Sequence, residues 1–135
     1  MDYKVEEIEG IGPVYGQKLA GAKIVSTADF LRQCGTPAGR REVGKQTGIT
    51  TKLLLKWANH ADLMRIRGIG PEFSELLEAA GVDTVKELRH RRADSLAAKL
   101  KSVREEKHLT RAVPTEEQVR GWIEQARGFQ PTIQY

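Results

Sequence analysis

Apolar positions along the 135-residue chain recur at intervals of three and four, never in the strict alternation of a half-buried strand. Leu53, Leu54, Trp57 and Ala61 make one such stripe, and Val119, Trp122, Ile123 and Ala126 make another. The pattern predicts helices near residues 3 to 8, 13 to 21, 27 to 34, 38 to 47, 51 to 61, 63 to 67, 71 to 80, 85 to 91, 95 to 104 and 115 to 127. Residues able to satisfy free N–H groups stand at several of the starts. Ser26 with Asp29, Thr84 with Glu87 and Thr115 with Gln118 have capping-box spacing, and Thr36, Thr50 and Asp94 suit single caps. The segment "GFQPTIQY", interrupted by Gly and Pro, is expected to be loosely held.

Sliding the chain along itself reveals a repeat. A shift of 58 lays Ile8 on Ile66, Gly10 on Gly68, Ile11 on Ile69, Gly12 on Gly70, Pro13 on Pro71, Tyr15 on Phe73 and Leu19 on Leu77. A shift of 65 lays Thr50 on Thr115, Trp57 on Trp122 and Ala61 on Ala126. Two copies of one all-α unit follow, of about five short helices each, over residues 1–61 and 62–129, with 130–135 as a tail. The roughly seven extra residues of the second copy are expected within 101 to 113.

Each copy contains G-I-G-P between apolar flanks. Two helices must be joined by a very short turn, which calls for glycine, while the central Ile fills the core and Pro suits the first helical turn. Such a turn leaves free N–H groups at a helix start, where an anion can bind. These residues resemble the helix-hairpin-helix motif. "GIGPVYGQKLAGAKIVSTADFL" followed by "GKQTGITTKLLLKWANHA" is similar to the N-terminal helix-hairpin-helix domain of archaeal and eukaryotic strand-exchange recombinases, a SAM-like fold, with Gly48-Ile49-Thr50 as a degenerate second hairpin. The chain as a whole, roughly residues 5 to 128, also resembles a family of small uncharacterised bacterial proteins made of two such units. No ATPase segment is present, so recombinase activity does not carry over. The resemblance implies that hairpin N–H groups hold phosphates of a DNA backbone without reading bases.

Charge modifies this expectation. The net charge is +4, but residues 32 to 67 carry 8 basic and 2 acidic side chains, residues 86 to 111 carry 9 and 4, and residues 68 to 85 carry none and 4. The basic blocks suit a polyanion. Against it, Glu72, Glu75 and Glu78 follow the second hairpin directly. The expected nucleic-acid contacts are the glycines Gly10, Gly12, Gly48, Gly68 and Gly70 with Lys18, Arg41, Lys45, Lys52, Lys56, Arg65 and Arg67; Lys99, Lys101, Arg104 and Lys107 could extend that surface. Duplex or branched DNA, bound without sequence preference, is the leading expectation for the partner. A protein-interaction adaptor whose hairpins only shape the fold is the alternative, motivated by Glu6, Glu7, Glu9 and the glutamates after the second hairpin. A third reading is an accessory subunit that positions DNA for another enzyme.

Other chemistry finds little support. His60, His90 and His108 are far apart and Cys34 stands alone, so no metal, cofactor or disulfide is expected. No nucleophile-base set or phosphate loop can be made out, so catalysis and a small-molecule substrate are not expected. Trp57 and Trp122, on apolar stripes, are expected in the core. With no apolar run of membrane length and no signal-like start, a cytoplasmic location is expected.

Overall fold

The computed structural model describes residues 2–108 and 111–135. A 3-10 turn at Val5–Glu7 precedes α1 (Gly12–Gly21), α2 (Thr27–Cys34), α3 (Pro37–Thr47), α4 (Thr51–Leu63), α5 (Pro71–Ala79), α6 (Val85–Leu88), α7 (Ala93–Lys107) and α8 (Glu116–Arg127). Among the described residues the only extended pairing is one isolated bridge between Lys4 and Ser26, so the fold is all-α. Among the described residues no helix is long and apolar enough to cross a membrane.

Most expected helix starts carry their caps. Ser26 and Thr115 form full capping boxes with Asp29 and Gln118, and Thr36 and Thr50 accept from Gly39 N and Leu53 N. Thr84 accepts from Glu87 N without the reciprocal bond. Asp94 is a correction: α7 begins at Ala93, and the Asp94 carboxylate accepts from Ser95 N inside the first turn. The helix expected at 63 to 67 is also absent. α4 runs on to Leu63, and Ile66 N–H then bonds Leu63 O in a turn, leaving the second copy with four helices rather than five among the described residues. α6 stops at Leu88, short of residue 91.

Buried side chains form two clusters. One gathers Val5, Ile8, Ile11, Leu19, Ile24, Phe30, Leu54 and Trp57 with others up to Met64; the second gathers Leu63, Ile66, Ile69, Leu77, Val82, Leu100 and Trp122 with others up to Ala126. Since Leu63 and Met64 enter different clusters, the end of α4 serves both. Both tryptophans are core residues, at 2% and 4% exposure.

The repeat recurs in backbone detail. Ile11 N–H bonds Ile8 O at 3.2 Å, and Ile69 N–H bonds Ile66 O at 3.1 Å; Ile24 N–H bonds Leu19 O at 2.9 Å, and Val82 N–H bonds Leu77 O at 2.8 Å. Lys23 and Gly81, 58 apart, both take positive φ, at 65° and 91°. Tyr15 meets Trp57 at 5.1 Å between ring centres, and Phe73 meets Trp122 at 5.3 Å. The copies differ where α7, of 15 residues, outgrows α3, of 11. The rest of the insertion expected in 101 to 113 includes residues 109 and 110, which lie outside the described residues.

The C-terminal segment corrects the expectation of a loose tail. Gln134 N–H bonds Gly35 O at 2.7 Å, Arg40 donates to Gln134 O and Cys34 O, and Ile133 packs on the first cluster. Thr132 Oγ1 donates to Asp62 at 2.7 Å. Gly35 is needed for this path, because a Cβ there would lie 2.5 Å from Thr132 O. Packing buries Cys34 as well, pushing its thiol up to about 11, out of the reactive range.

Candidate nucleic-acid interface

The short G-x-G turns force a left-handed backbone at their first glycine, with φ +91° at Gly10 and +99° at Gly68. At the second glycine the copies part. Gly12 opens α1 at φ +62°, whereas Gly70 stands before α5 in an extended conformation, φ −101° and ψ −163°. Gly48 closes α3 at φ +76°, exposed, and Ile49 after it is buried. All three turns are followed by a helix start whose first N–H groups have no intrahelical acceptor.

The surroundings of the two G-I-G turns differ in sign. The recess at the first is lined by Glu6, Glu7, Ile8, Glu9, Gly10 and Gly12, which opposes an anion there. Lys18, the nearest cation expected to help, lies exposed further along α1, 5.8 Å from the Tyr15 ring centre. The second turn is approached through Arg65 and Arg67, which line one cleft with Gln125, Gly128 and Phe129. Gln125 holds the Arg67 main chain from both sides, accepting from its N–H at 3.0 Å and donating to its carbonyl at 3.1 Å. Arg67 is therefore exposed but anchored. Arg65 is committed elsewhere: it bonds Asp62 at 2.7 Å and Gln130 O at 3.0 Å, and lies 4.6 Å over the Phe129 ring.

The remaining expected cations divide. Arg41 and Lys45 on α3 and Lys52 on α4 are exposed, with no ion pair among the described residues. Lys56 instead turns to α5, with Nζ 3.9 Å from Glu78. Glu78 thus faces α4 rather than the hairpin, and Glu75 lies close enough to Glu9 of the first copy to feel its charge. Burial and Glu9 raise the pKa of Glu75. Burial also pushes Glu78 upward, but the His60 hydrogen bond and nearby His60 and Lys56 leave it below its usual value. Glu72 is exposed in the first turn of α5, 3.9 Å from the even more exposed Arg111.

Several residues that shape this region escaped the sequence reading. His60, nearly fully buried, bonds Glu78 at 3.0 Å through Nε2 and lies 3.4 Å from Ser74 Oγ through Nδ1. Ser74 is fully enclosed and donates to Pro71 O, so this chain of polar groups joins α4 to α5. Asp62, at 1% exposure, accepts from Arg65, Thr132 and the first N–H of α6 at Val85. An acid between Ala61 and Leu63 on an apolar stripe was the available signal. Among the described residues no group of three or more His, Cys, Asp and Glu is placed to hold a metal ion.

This is an all-helical chain in which Arg65 and Arg67 make a cationic approach to the second G-I-G turn. The sequence pattern of a protein family described as a domain of unknown function, DUF4332, matches residues 9–129, and the chain belongs to that family. No curated protein and no solved structure matches it.

Proposed function

We propose that the chain is a DNA-binding module of two tandem helix-hairpin-helix units, related to the N-terminal domain of strand-exchange recombinases, that holds backbone phosphates without reading sequence. The observation that carries this reading is Arg67: exposed, without an ion pair among the described residues, and anchored by Gln125 immediately before the Gly68 turn. A cation fixed by its main chain loses less entropy on meeting a phosphate than one on a mobile segment. Exposed Arg41, Lys45 and Lys52 supply further unpaired charge, and the Gly48 turn leads into α4 between them. In this assignment the second G-I-G turn contacts the strand, and the first, ringed by Glu6, Glu7 and Glu9, does not. A cytoplasmic location goes with that ligand.

Fluorescence anisotropy with duplex and branched DNA at two salt concentrations tests the proposal. Affinity is expected to fall by about 0.9 log unit per log unit of salt for each phosphate neutralised. R67E and K52E each weaken binding to all sequences alike and flatten that slope. No binding at low salt removes the proposal.

A second reading is favoured by the acidic recess itself. Three carboxylates around an exposed glycine turn suit a basic protein segment, making the module an adaptor. E6Q/E7Q/E9Q distinguishes the two, since it strengthens or leaves DNA binding and abolishes capture of a cationic peptide.

A further inference from the structure

The C-terminal segment fills a groove on the first copy whose counterpart on the second copy stays open. In the first copy the segment runs between the connection from α2 to α3 and the end of α4. Gln134 N–H bonds Gly35 O, Arg40 donates to Gln134 O, and the Thr132 hydroxyl donates to Asp62. Ile133, between them in sequence, packs on the first core. An extended peptide is thus held there by its main chain, one apolar side chain and one hydroxyl.

The repeat carries the same construction to the second copy. The shift of 65 that lays Trp57 on Trp122 also lays Ala58 on Ile123 and Asp62 on Arg127. Residues 35–36 join α2 to α3, and residues 89–92 join α6 to α7. Between the end of that second connection and α8 lies a cleft of about 470 Å³. Arg91 and Arg92 line it from the connection, Arg120 and Arg127 from α8, and Ile123 of the second core lies among them.

Charge is what distinguishes the two grooves. Arg92 pairs with Asp94 at 2.9 Å and Arg120 with Glu116 at 2.8 Å, while Arg91 lies 3.9 Å from Glu87. The Arg127 guanidinium is exposed and has no partner among the described residues. It stands where the first copy has Asp62, the acceptor of the Thr132 hydroxyl. A guanidinium offers donors only, so a ligand at this place must present an acceptor.

We infer that this cleft docks an extended acidic segment of a partner protein, with a carboxylate on Arg127 and an apolar side chain toward Ile123. The site rests on neither reading of the glycine turns. The docked tail supplies the mode of binding, and the exchange of Asp62 for Arg127 sets the sign of the charge recognised. A polyanion suits the cleft less well than a peptide, because Asp94, Glu116 and Glu124 line it too and oppose each further phosphate. A peptide brings a single carboxylate to Arg127 and leaves the rest of its length neutral.

The tail sequence itself supplies the probes, three dye-labelled pentapeptides with amidated ends. Pro-Glu-Ile-Gln-Tyr puts a carboxylate at the place of Thr132, Pro-Thr-Ile-Gln-Tyr copies this chain, and Pro-Lys-Ile-Gln-Tyr reverses the charge. In a proton–nitrogen correlation spectrum of the full protein, the acidic peptide is expected to move the Arg91, Arg92, Ile123 and Arg127 amides and leave Gly35 and Gln134 still. In anisotropy, R127E is expected to weaken the acidic peptide about fivefold and to favour the lysine peptide instead. A misfolded variant does not gain a new preference, and the wild-type titration needs no variant. Silence at the cleft, or shifts at Gly35 and Gln134 in its place, overturns the site. Equal binding of all three peptides, or binding indifferent to R127E, overturns the acidic ligand. Tightest binding of the chain's own sequence overturns it in favour of a second copy, and displacement of the peptide by a short duplex that moves the same amides overturns it in favour of nucleic acid.

Discussion

Asp62 accepts a hydrogen bond at 2.7 Å from Thr132, seventy residues later in the chain. The same carboxylate receives Arg65 and the first N–H of α6, at 1% exposure. One buried acid thus ties α4, the approach to the second glycine turn, α6 and the C-terminal segment together. Removing it takes one acceptor from Arg65, which keeps Gln130 O, and strands the Thr132 hydroxyl and the Val85 N–H. D62A is expected to cost about 3 kcal/mol, lowering the melting temperature by roughly 10 °C. A melt within about 2 °C of wild type contradicts the structure here.

Deleting residues 131–135 tests the strap from the other end. It removes the Thr132 and Gln134 hydrogen bonds, uncovers Ile133's place on the first cluster, and leaves Arg40, 5% exposed, with one carbonyl fewer. The expected loss is about 2 to 4 kcal/mol in denaturant titration, with faster amide exchange around Gly35. Unchanged exchange there would show that the segment is not docked.

Glu75 and Glu78, nearly one helical turn apart on α5, are expected to respond oppositely. Glu75 has its pKa raised by burial and by Glu9 and Glu78, so folding favours its protonated form; its stabilising contribution is present below its ordinary value of 4.5 and is lost as pH rises through the higher folded value. Glu78 is the reverse. Its folded pKa is lowered, so its contribution is present above 4.5 and is lost as pH falls through the lower folded value. At pH 7, E75Q therefore stabilises slightly and E78Q destabilises, each by about 0.5 kcal/mol after screening. Both differences shrink in acid, and melts from pH 3 to 8 follow them.

Two glycine substitutions separate necessity from habit. G121A falls inside α8 with nothing within 4 Å of the new methyl, and is expected to stabilise by about 0.5 to 1 kcal/mol. G68A meets Trp122 at 2.8 Å and an unfavourable φ of +99°, and is expected to cost about 2 kcal/mol or more. Chemical denaturation of the pair checks both, and equal effects would contradict the geometry.

Periodicity and self-comparison, without coordinates, determined the helices, most of their caps and the equivalence of the two copies. These rest on interactions between residues three and four apart, or on one pattern used twice. The 58-residue shift even pairs Lys23 with Gly81, which share a left-handed turn although only one is glycine. What the local pattern could not carry was the end of α4. Leu63 and Ile66 read as a separate helix because they are apolar at helical spacing, but they belong to a helix end and a turn buried against the second core.

Only the tertiary structure decided which charges are free. Lys56 and Arg65 look equivalent to Lys52 and Arg67 in the sequence, yet Lys56 meets Glu78, Arg65 meets Asp62, and Lys52 and Arg67 remain exposed with no ion pair among the described residues. The docked tail and the Trp122 N–H beside Gly68 were hidden for the same reason. Each depends on contacts between residues tens of positions apart, whose partners come together only when the two cores close around the end of α4.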